Sequence, residues 1–302
     1  ISKLETKITL FHVKICKKII QEQPLGIDFI GFHGQTIFHN ADQKISRQLG
    51  DGNLLSNLLK KRVVYNFREN DIINGGQGAP LTPIFHQLLV KKNEIKLPVG
   101  ILNIGGIANI TIINSKDPNT LKSYDIGPGN CLLDEWVRKH SNARYDKNGE
   151  MAQAGLTDKI ILNKAMDNFN NTNLSFDIKD FDLNFAKGLS LEDGLSTLAD
   201  FTASIIYNSI IEEFRFIKGS DLKILVCGGG RKNLSLVSKI KKKLPNNILL
   251  NLIDNYKIDG DFVESQAFAY LAIRSYLKKP ISYPETTGCN EASTGGVVVK
   301  NY

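Results

Sequence analysis

The chain has 302 residues, 42% of them hydrophobic and 23% charged, and 38 Lys and Arg against 31 Asp and Glu leave a formal charge of +7. That balance excludes a disordered or fibrous protein, and the length suffices for two domains with buried cores. The positive excess reads as lysine-rich solvated surface and calls for no nucleic acid, since its densest run, Lys239 to Lys243, falls on a helix as an outer face. Cys16, Cys131, Cys227 and Cys289 form no C-x-x-C pair and no regular spacing. They read as buried small hydrophobes, without a disulfide framework or zinc site. No stretch approaches a membrane span, and the first residues carry charges throughout, so the expectation is a cytoplasmic protein. The sequons at Asn109 and Asn173 then carry no meaning.

Ile1 to Gln23 places Leu4, Ile8, Phe11, Ile15 and Ile19 at helical spacing and predicts an amphipathic helix, not the apolar core of a signal peptide. Gly26 to Phe32 reads as a strand ending in the loop His33-Gly34-Gln35-Thr36. Gly52 to Lys61 reads as helix and Arg62 to Phe67 as strand. Asn74 to Gly78 is a glycine-dense loop before a helix with Pro80 and Pro83 in its first turn. Lys96-Leu97-Pro98 marks a boundary, after which Val99 to Ile113 forms a hairpin turning at Gly105-Gly106. Asp125 to Asn130 leads into a helix. An Asn-rich loop spans Asn168 to Asn173, and a long helix runs from Leu191 to Lys218. The strand Lys223 to Cys227, three glycines, a further helix, the strand Ile248 to Ile253, the helix Phe262 to Lys279 and a β-like segment Gly296 to Val299 complete the chain. Alternation of strand and helix predicts an α/β fold.

Three segments carry candidate chemistry. In Leu102 to Thr111, two glycines at a turn between buried strands let backbone N–H groups approach an anion such as phosphate, although the Gly-Gly pair alone also suits an ordinary hairpin turn. In Ile224 to Asn233, a strand ends in Gly228-Gly229-Gly230 and a helix starts at Asn233, aiming a helix N-terminus at a nucleotide. A dinucleotide fingerprint competes there, with Asp254 at the expected interval, but Asn233 stands where the third glycine belongs, and no Walker A pattern occurs. Asp125, heading a Gly-Pro-Gly-Asn turn, suits either a general base or a helix cap.

The order of these motifs resembles the anhydro-N-acetylmuramic acid kinases over essentially the whole chain. The resemblance rests on Gly31 to Thr36, Gln48 to Asp51, Asn66 to Arg68 with Asp71, Gly75 to Leu81, Leu102 to Thr111, Asp125 to Asn130, Val226 to Asn233 and Glu264 to Ala269. It implies a two-domain, actin-like (ribonuclease H-like) ATPase fold with an interdomain cleft. Residues 1–98 would be the sugar-side domain and 99–302 the nucleotide-binding domain, with the last segment free to return to the first. It implies a magnesium-ATP-dependent phosphotransferase that opens the 1,6-anhydro sugar and phosphorylates O6 in peptidoglycan recycling, with no membrane or nucleic-acid partner and a homodimer as an open option. By the same resemblance Asp125 is the water-activating base. Asn103, Gly105, Gly106, Gly228, Gly229 and Gly230 hold the nucleotide, and His33, Arg68, Asp71 and Gln77 face the sugar. His33 also reads as a structural loop histidine.

Two departures accompany the resemblance. The threonine of the family's D-T-G-P-G-N loop is Ile126 here, and the family's opening G-T-S-x-D-G-x-D phosphate loop has no counterpart in these residues. The expectation is a sugar-side domain incomplete at its start and a chain with little kinase activity by itself. A truncated, inactive relative is therefore one alternative reading, and a dinucleotide-dependent oxidoreductase built on Gly228 to Asp254 is another.

Overall fold

A computed structural model of the protein describes residues 1–23, 25–41, 43–169, 176–215 and 222–302. Along the chain lie α1 (Ser2–Glu22), β1 (Phe29–Phe32), β2 (Gln35–Asn40), β3 (Ile45–Leu49), α2 (Gly52–Leu59), β4 (Arg62–Tyr65), α3 (Glu69–Ile73), α4 (Pro83–Lys92), β5 (Val99–Ile104) and β6 (Ile107–Ile113). They continue with β7 (Lys122–Pro128), α5 (Cys131–His140), α6 (Glu150–Ala154), α7 (Lys159–Asn168), α8 (Leu191–Phe214), β8 (Leu222–Cys227), α9 (Leu234–Lys243) and β9 (Ile248–Leu252). Last come α10 (Val263–Tyr276), α11 (Pro284–Thr287) and β10 (Val297–Val299). The class is α/β. Two compact units form, one from residues 1–94, 115–123 and 264–302, the other from 95–114 and 124–263.

In the first unit, β4 is the middle strand of a three-stranded sheet, parallel to β1 and antiparallel to β10. Strands β2 and β3 pair separately as an antiparallel hairpin. Val13, Phe32, Leu55, Leu59 and Val63 form a small core beneath α1 and α2. Asp51 caps α2 by accepting from the Leu54 amide at 2.9 Å.

The second unit is built on a five-stranded sheet in the order β7-β6-β5-β8-β9. Strands β5 and β6 form the antiparallel hairpin, and β8 lies parallel to both β5 and β9. β5 and β8 are covered on both faces, which is why they read as near-continuous apolar runs instead of alternating ones. Ser190 starts α8 by accepting from the Asp193 amide at 3.0 Å, and the helix buries Leu195, Leu198, Phe201, Ile205 and Ile206 in the main core. Asn233 caps α9 as its sequence position predicts, accepting from the Leu236 amide at 3.0 Å.

Several elements differ from expectation. Helix α1 packs through Thr9, Val13, Cys16 and Ile20, while Leu4, Phe11, Ile15 and Ile19 lie exposed on another face. Thr9 explains the choice, because it is buried and its hydroxyl accepts from the Asp51 amide at 3.0 Å. Gln35 and Thr36 belong to β2, not to a loop, paired with Leu49 and Gln48. Helix α4 starts at Pro83, leaving Pro80 outside it after a cis peptide bond. Asp125 lies on β7 itself. Lys239 and Lys243, one turn apart on α9, reach Asp200 of α8 at 3.3 and 2.7 Å, so that part of the lysine run ties two helices together. Of the cysteines, Cys16 is half-buried and the other three are buried. The Asn-rich loop from residue 170 onward, its sequon at Asn173, and residues 216–218 of the expected long helix lie outside the described residues.

Gly194 of α8 offers a test of this packing. A Cβ there would sit 2.3 Å from the Trp136 indole, whose Nε1 donates to the Leu191 carbonyl at 3.1 Å. Helix propensity favours Gly194→Ala by ~0.5–1 kcal/mol, but overpacking a core costs ~1–3 kcal/mol. The variant should be less stable, seen as a lower urea midpoint at unchanged m-value. A raised midpoint would show that the indole yields freely.

Candidate functional site

The three segments nominated from sequence in the second unit meet in space. The amides of Gly129 and Cys131 donate to the Gly106 carbonyl at 2.9 and 3.1 Å, and that of Asn130 to the Gly105 carbonyl at 2.8 Å. The Asn130 side-chain amide adds a bond to Gly105 O at 3.1 Å. The end of β7 is thereby clipped onto the β5–β6 turn. Gly129 has no room for a side chain, since a Cβ would lie 2.4 Å from Gly105 O. On the other side of the turn, a Cβ on Gly228 would meet Asn103 Oδ1 at 2.3 Å, and one on Gly230 would meet Ile104 Cγ2 at 2.2 Å. Gly228 also has φ +79°, a conformation that favours glycine. Gly229 faces open space, with nothing within 4 Å of where a Cβ would stand. Thus Asn103, Gly105, Gly106, Gly228, Gly229 and Gly230 surround one spot. The tight glycines let the loops approach each other, and the open one leaves the backbone accessible to a ligand.

Asp125 stands four residues before Gly129, the first clipped residue, half-buried, with Oδ2 accepting from the Phe176 amide at 3.0 Å. Phe176 is held by ring contacts with Phe169 and Phe181. Ile126, in the threonine position of the resembling loop, is fully buried in the main core.

Arg231 fixes the glycine loop from behind. The side chain is 5% exposed, and it donates from Nε and Nη2 to the two oxygens of Asp254 at 2.8 and 3.1 Å, and from Nη1 to Asp261 at 2.8 Å and to the Gly228 carbonyl at 3.0 Å. Bidentate pairing of this kind fixes geometry as well as charge. Hydrogen bonding from Arg231 lowers both carboxyl groups, Asp261 to about 2. The acidic residue that a dinucleotide site would turn toward a ribose is here committed to the arginine.

Three of the four sugar-side candidates also come together, within the first unit. Arg68 Nε donates to His33 Nε2 at 3.0 Å, and Arg68 Nη1 to the Gly78 carbonyl at 2.6 Å. His33 Nδ1 lies 2.9 Å from the Gly34 carbonyl, which makes Nδ1 the protonated nitrogen and Nε2 the acceptor. Asp71, 1% exposed, accepts from the Gly78 amide and from the Thr287 hydroxyl, each at 2.6 Å. Gln77 joins through its backbone, donating to the Thr287 carbonyl at 2.8 Å. Thr287 and Phe268, whose ring packs 4.4 Å from that of His33, reach this cluster from the C-terminal part of the chain. Neither Thr287, Phe176 nor Arg231 stood out as a site residue in the sequence, because each acts on a partner far away in the chain and none sits in a signature of its own. Among the described residues, no group of three His, Cys, Asp or Glu side chains is arranged to hold a metal ion.

Two histidines give the first unit a pH signature. His33 is lowered to about 4 by burial and by the Arg68 guanidinium, and His86 to about 4 by burial. Both are neutral in the folded protein and take up a proton near pH 6.5 once unfolded. The unfolded state therefore binds more protons between about pH 4 and 6.5. Stability is whole above that window and falls as pH drops through it, by on the order of 2–3 kcal/mol per histidine. The carboxylates paired with Arg231 contribute their loss only at lower pH. Thermal midpoints recorded from pH 7 to 4.5 should fall steadily, and His33→Gln should flatten the slope. An unchanged slope in that variant would remove His33 from the effect.

The anhydro-N-acetylmuramic acid kinase family model matches residues 1–301. The anhydro-N-acetylmuramic acid kinase of Pelagibacter ubique (strain HTCC1062) is 64% identical over 100% of this chain and 82% of its own length. That of Zymomonas mobilis subsp. mobilis is 38% identical over 96% of this chain and 78% of its own. Among solved structures, the activator of the 2-hydroxyisocaproyl-CoA dehydratase from Clostridium difficile aligns with 64% of this chain and 67% of its own at 13% identity and a TM-score of 0.38, a likeness too slight to bear on function. On the first two findings, the chain belongs to the anhydro-N-acetylmuramic acid kinase family.

Proposed function

We propose that the protein uses ATP to open 1,6-anhydro-N-acetylmuramic acid with water and to phosphorylate O6, giving N-acetylmuramic acid 6-phosphate and ADP, on an actin-like two-domain frame. The observation that carries this reading is the clip between the end of β7 and the Gly105-Gly106 turn, which ties the segment after Asp125 to the turn here read as the phosphate cradle. A reaction that attacks an anomeric carbon and then moves a phosphoryl group to the freed oxygen needs its base and its phosphate cradle in fixed register.

In this scheme Asp125 takes a proton from water, and the water oxygen attacks the anomeric carbon. The bond from that carbon to O6 breaks, and O6 takes the γ-phosphoryl group as ADP departs. The Phe176 amide orients the carboxylate through Oδ2. Asn103, Gly105, Gly106 and Gly228 to Gly230 bind the nucleotide, and the His33–Arg68–Asp71–Gln77 cluster shapes the sugar side. Magnesium would come with the nucleotide phosphates, retaining water ligands as that ion does. The described residues offer it no ready-made cage. Peptidoglycan recycling in the cytoplasm is the setting such a substrate implies, and no described helix is long and apolar enough to cross a membrane.

Magnesium-ATP should raise the thermal midpoint and NAD should not, because ligand at about a hundred times its dissociation constant adds roughly 2.7 kcal/mol. An equal shift with NAD would favour a dinucleotide enzyme, against which Asp254 already stands committed to Arg231. In a form that also carries the family's opening phosphate loop, Asp125→Asn should preserve folding and ATP binding while lowering sugar-dependent ADP release roughly 10²- to 10⁴-fold. Near-normal turnover would take Asp125 out of the mechanism.

A further inference from the structure

The aromatic side chains beside Asp125 are anchored within the second unit by α7. That helix is tied to α8 near its start, where Asp158 accepts from the amides of Ile160 and Ile161 at 2.9 and 3.0 Å and donates from its own amide to Thr197 Oγ1 at 3.0 Å. At the other end of α7 stands Phe169, half-buried, its amide bonded to the Met166 carbonyl at 3.2 Å. The tip of its ring faces Gly127, two residues after Asp125. A Cβ on Gly127 would lie 3.1 Å from Phe169 Cζ, so the bare glycine is what admits the ring. The ring also stands edge-on to Phe201 of α8 at 5.8 Å and tilted against Phe176 at 6.4 Å.

Phe176 carries the amide that bonds Asp125 Oδ2, and its own ring leans on that of Phe181 at 5.3 Å. The turn between those two residues is closed reciprocally, with the Asp177 amide donating to Asp180 Oδ2 at 2.7 Å and the Lys179 amide to Asp177 Oδ1 at 3.0 Å. It brings Ile178 over the glycine turn, where a Cβ on Gly106 would lie 3.4 Å from Ile178 Cδ1. The short segment from Phe176 to Ile178 thus touches the carboxylate at one end and the Gly105-Gly106 turn at the other. A backbone amide goes where the packing of its residue puts it, and the packing here is aromatic. One side of the ring cluster is open, since Phe169, Phe181, Phe185 and Phe201 line a cavity of about 410 Å³. Shortening Phe169 therefore widens space already present and leaves Phe176 free to shift.

We infer that Phe169 is a positioning residue for the general base: wedged between Gly127 and Phe176, its ring keeps the Phe176 amide on Asp125 and so fixes the direction of the carboxylate. The inference rests on the reading of Asp125 as the water-activating base and names what aims it. The test is a double-mutant cycle of Phe169→Leu, Asp125→Asn and the pair, in the form that also carries the family's opening phosphate loop. Sugar-dependent ADP release and the thermal shift given by magnesium-ATP are measured for each. Phe169→Leu should lower kcat roughly ten- to a hundredfold, with the KM for ATP and the magnesium-ATP shift unchanged, because misplacing a reacting group by an ångström costs on that order. Joined to Asp125→Asn, the same change should cost almost nothing further, since no base is left to aim. Should Phe169→Leu fail to fold, Phe169→Met, whose flexible side chain fills irregular gaps, takes its place in the cycle. A kcat equal to the parent's in the Phe169 variant, or a loss that repeats in full beside Asp125→Asn, would overturn the positioning role and leave the base reading standing. A raised KM for ATP would mark the ring as a support of the glycine turn and overturn it too. Near-normal turnover in Asp125→Asn alone, or a parent that releases no ADP with the sugar, would overturn both readings together.

Discussion

Three backbone amides, those of Gly129, Asn130 and Cys131, grip the two carbonyls of the Gly105-Gly106 turn, and the arrangement of the glycine loops in the second unit depends on that grip. It acts between main-chain groups, so the side chains do not set it, but they decide whether it can form. Gly129 is required because any larger residue would strike Gly105 O, and Gly228 and Gly230 are required for the same reason against Asn103 and Ile104. Glycines that look in sequence like sources of loop freedom serve here to remove it, by permitting contacts that immobilise three loops. Arg231 completes the arrangement by tying the Gly228 carbonyl to Asp254 and Asp261.

Much of this was legible in the sequence. Strands β5 and β6 announce themselves as β-branched runs and β8 as an apolar one, and the glycine segments beside them mark the turns. What escaped was what distant contacts decide. The apolar stripe of α1 has the right period but the wrong phase, because a threonine hydroxyl and the Asp51 amide chose the buried face. The interval from Gly228 to Asp254 fits a dinucleotide pattern, yet pattern alone cannot register that Arg231 sits between them. Lys239 and Lys243 read as surface because Asp200, their partner, lies on a different helix.

The sugar-side candidates teach a related distinction. His33, Arg68 and Asp71 stand out in sequence as chemically capable residues, and they do lie together, but their polar atoms are turned toward one another and toward the backbone of the Gly75 to Gly78 segment. A buried network this well satisfied specifies one arrangement of its loops. The neutral His33 belongs to that logic, since a second proton on the ring would break its bond from Arg68.

The discontinuity of the first unit bears on how the chain is made. Strand β4 receives its antiparallel neighbour β10 only from residues 297–299, more than two hundred positions after Tyr65. At ~5–20 residues per second of synthesis, roughly ten to fifty seconds separate the two strands at the ribosome. During that interval one edge of β4 is open, and Asp71 lacks the hydroxyl of Thr287. The second unit, whose residues 95–263 are nearly contiguous, is synthesised in full before the first can close. A nascent chain of this protein therefore keeps one edge of β4 open until residues 297–299 have been made.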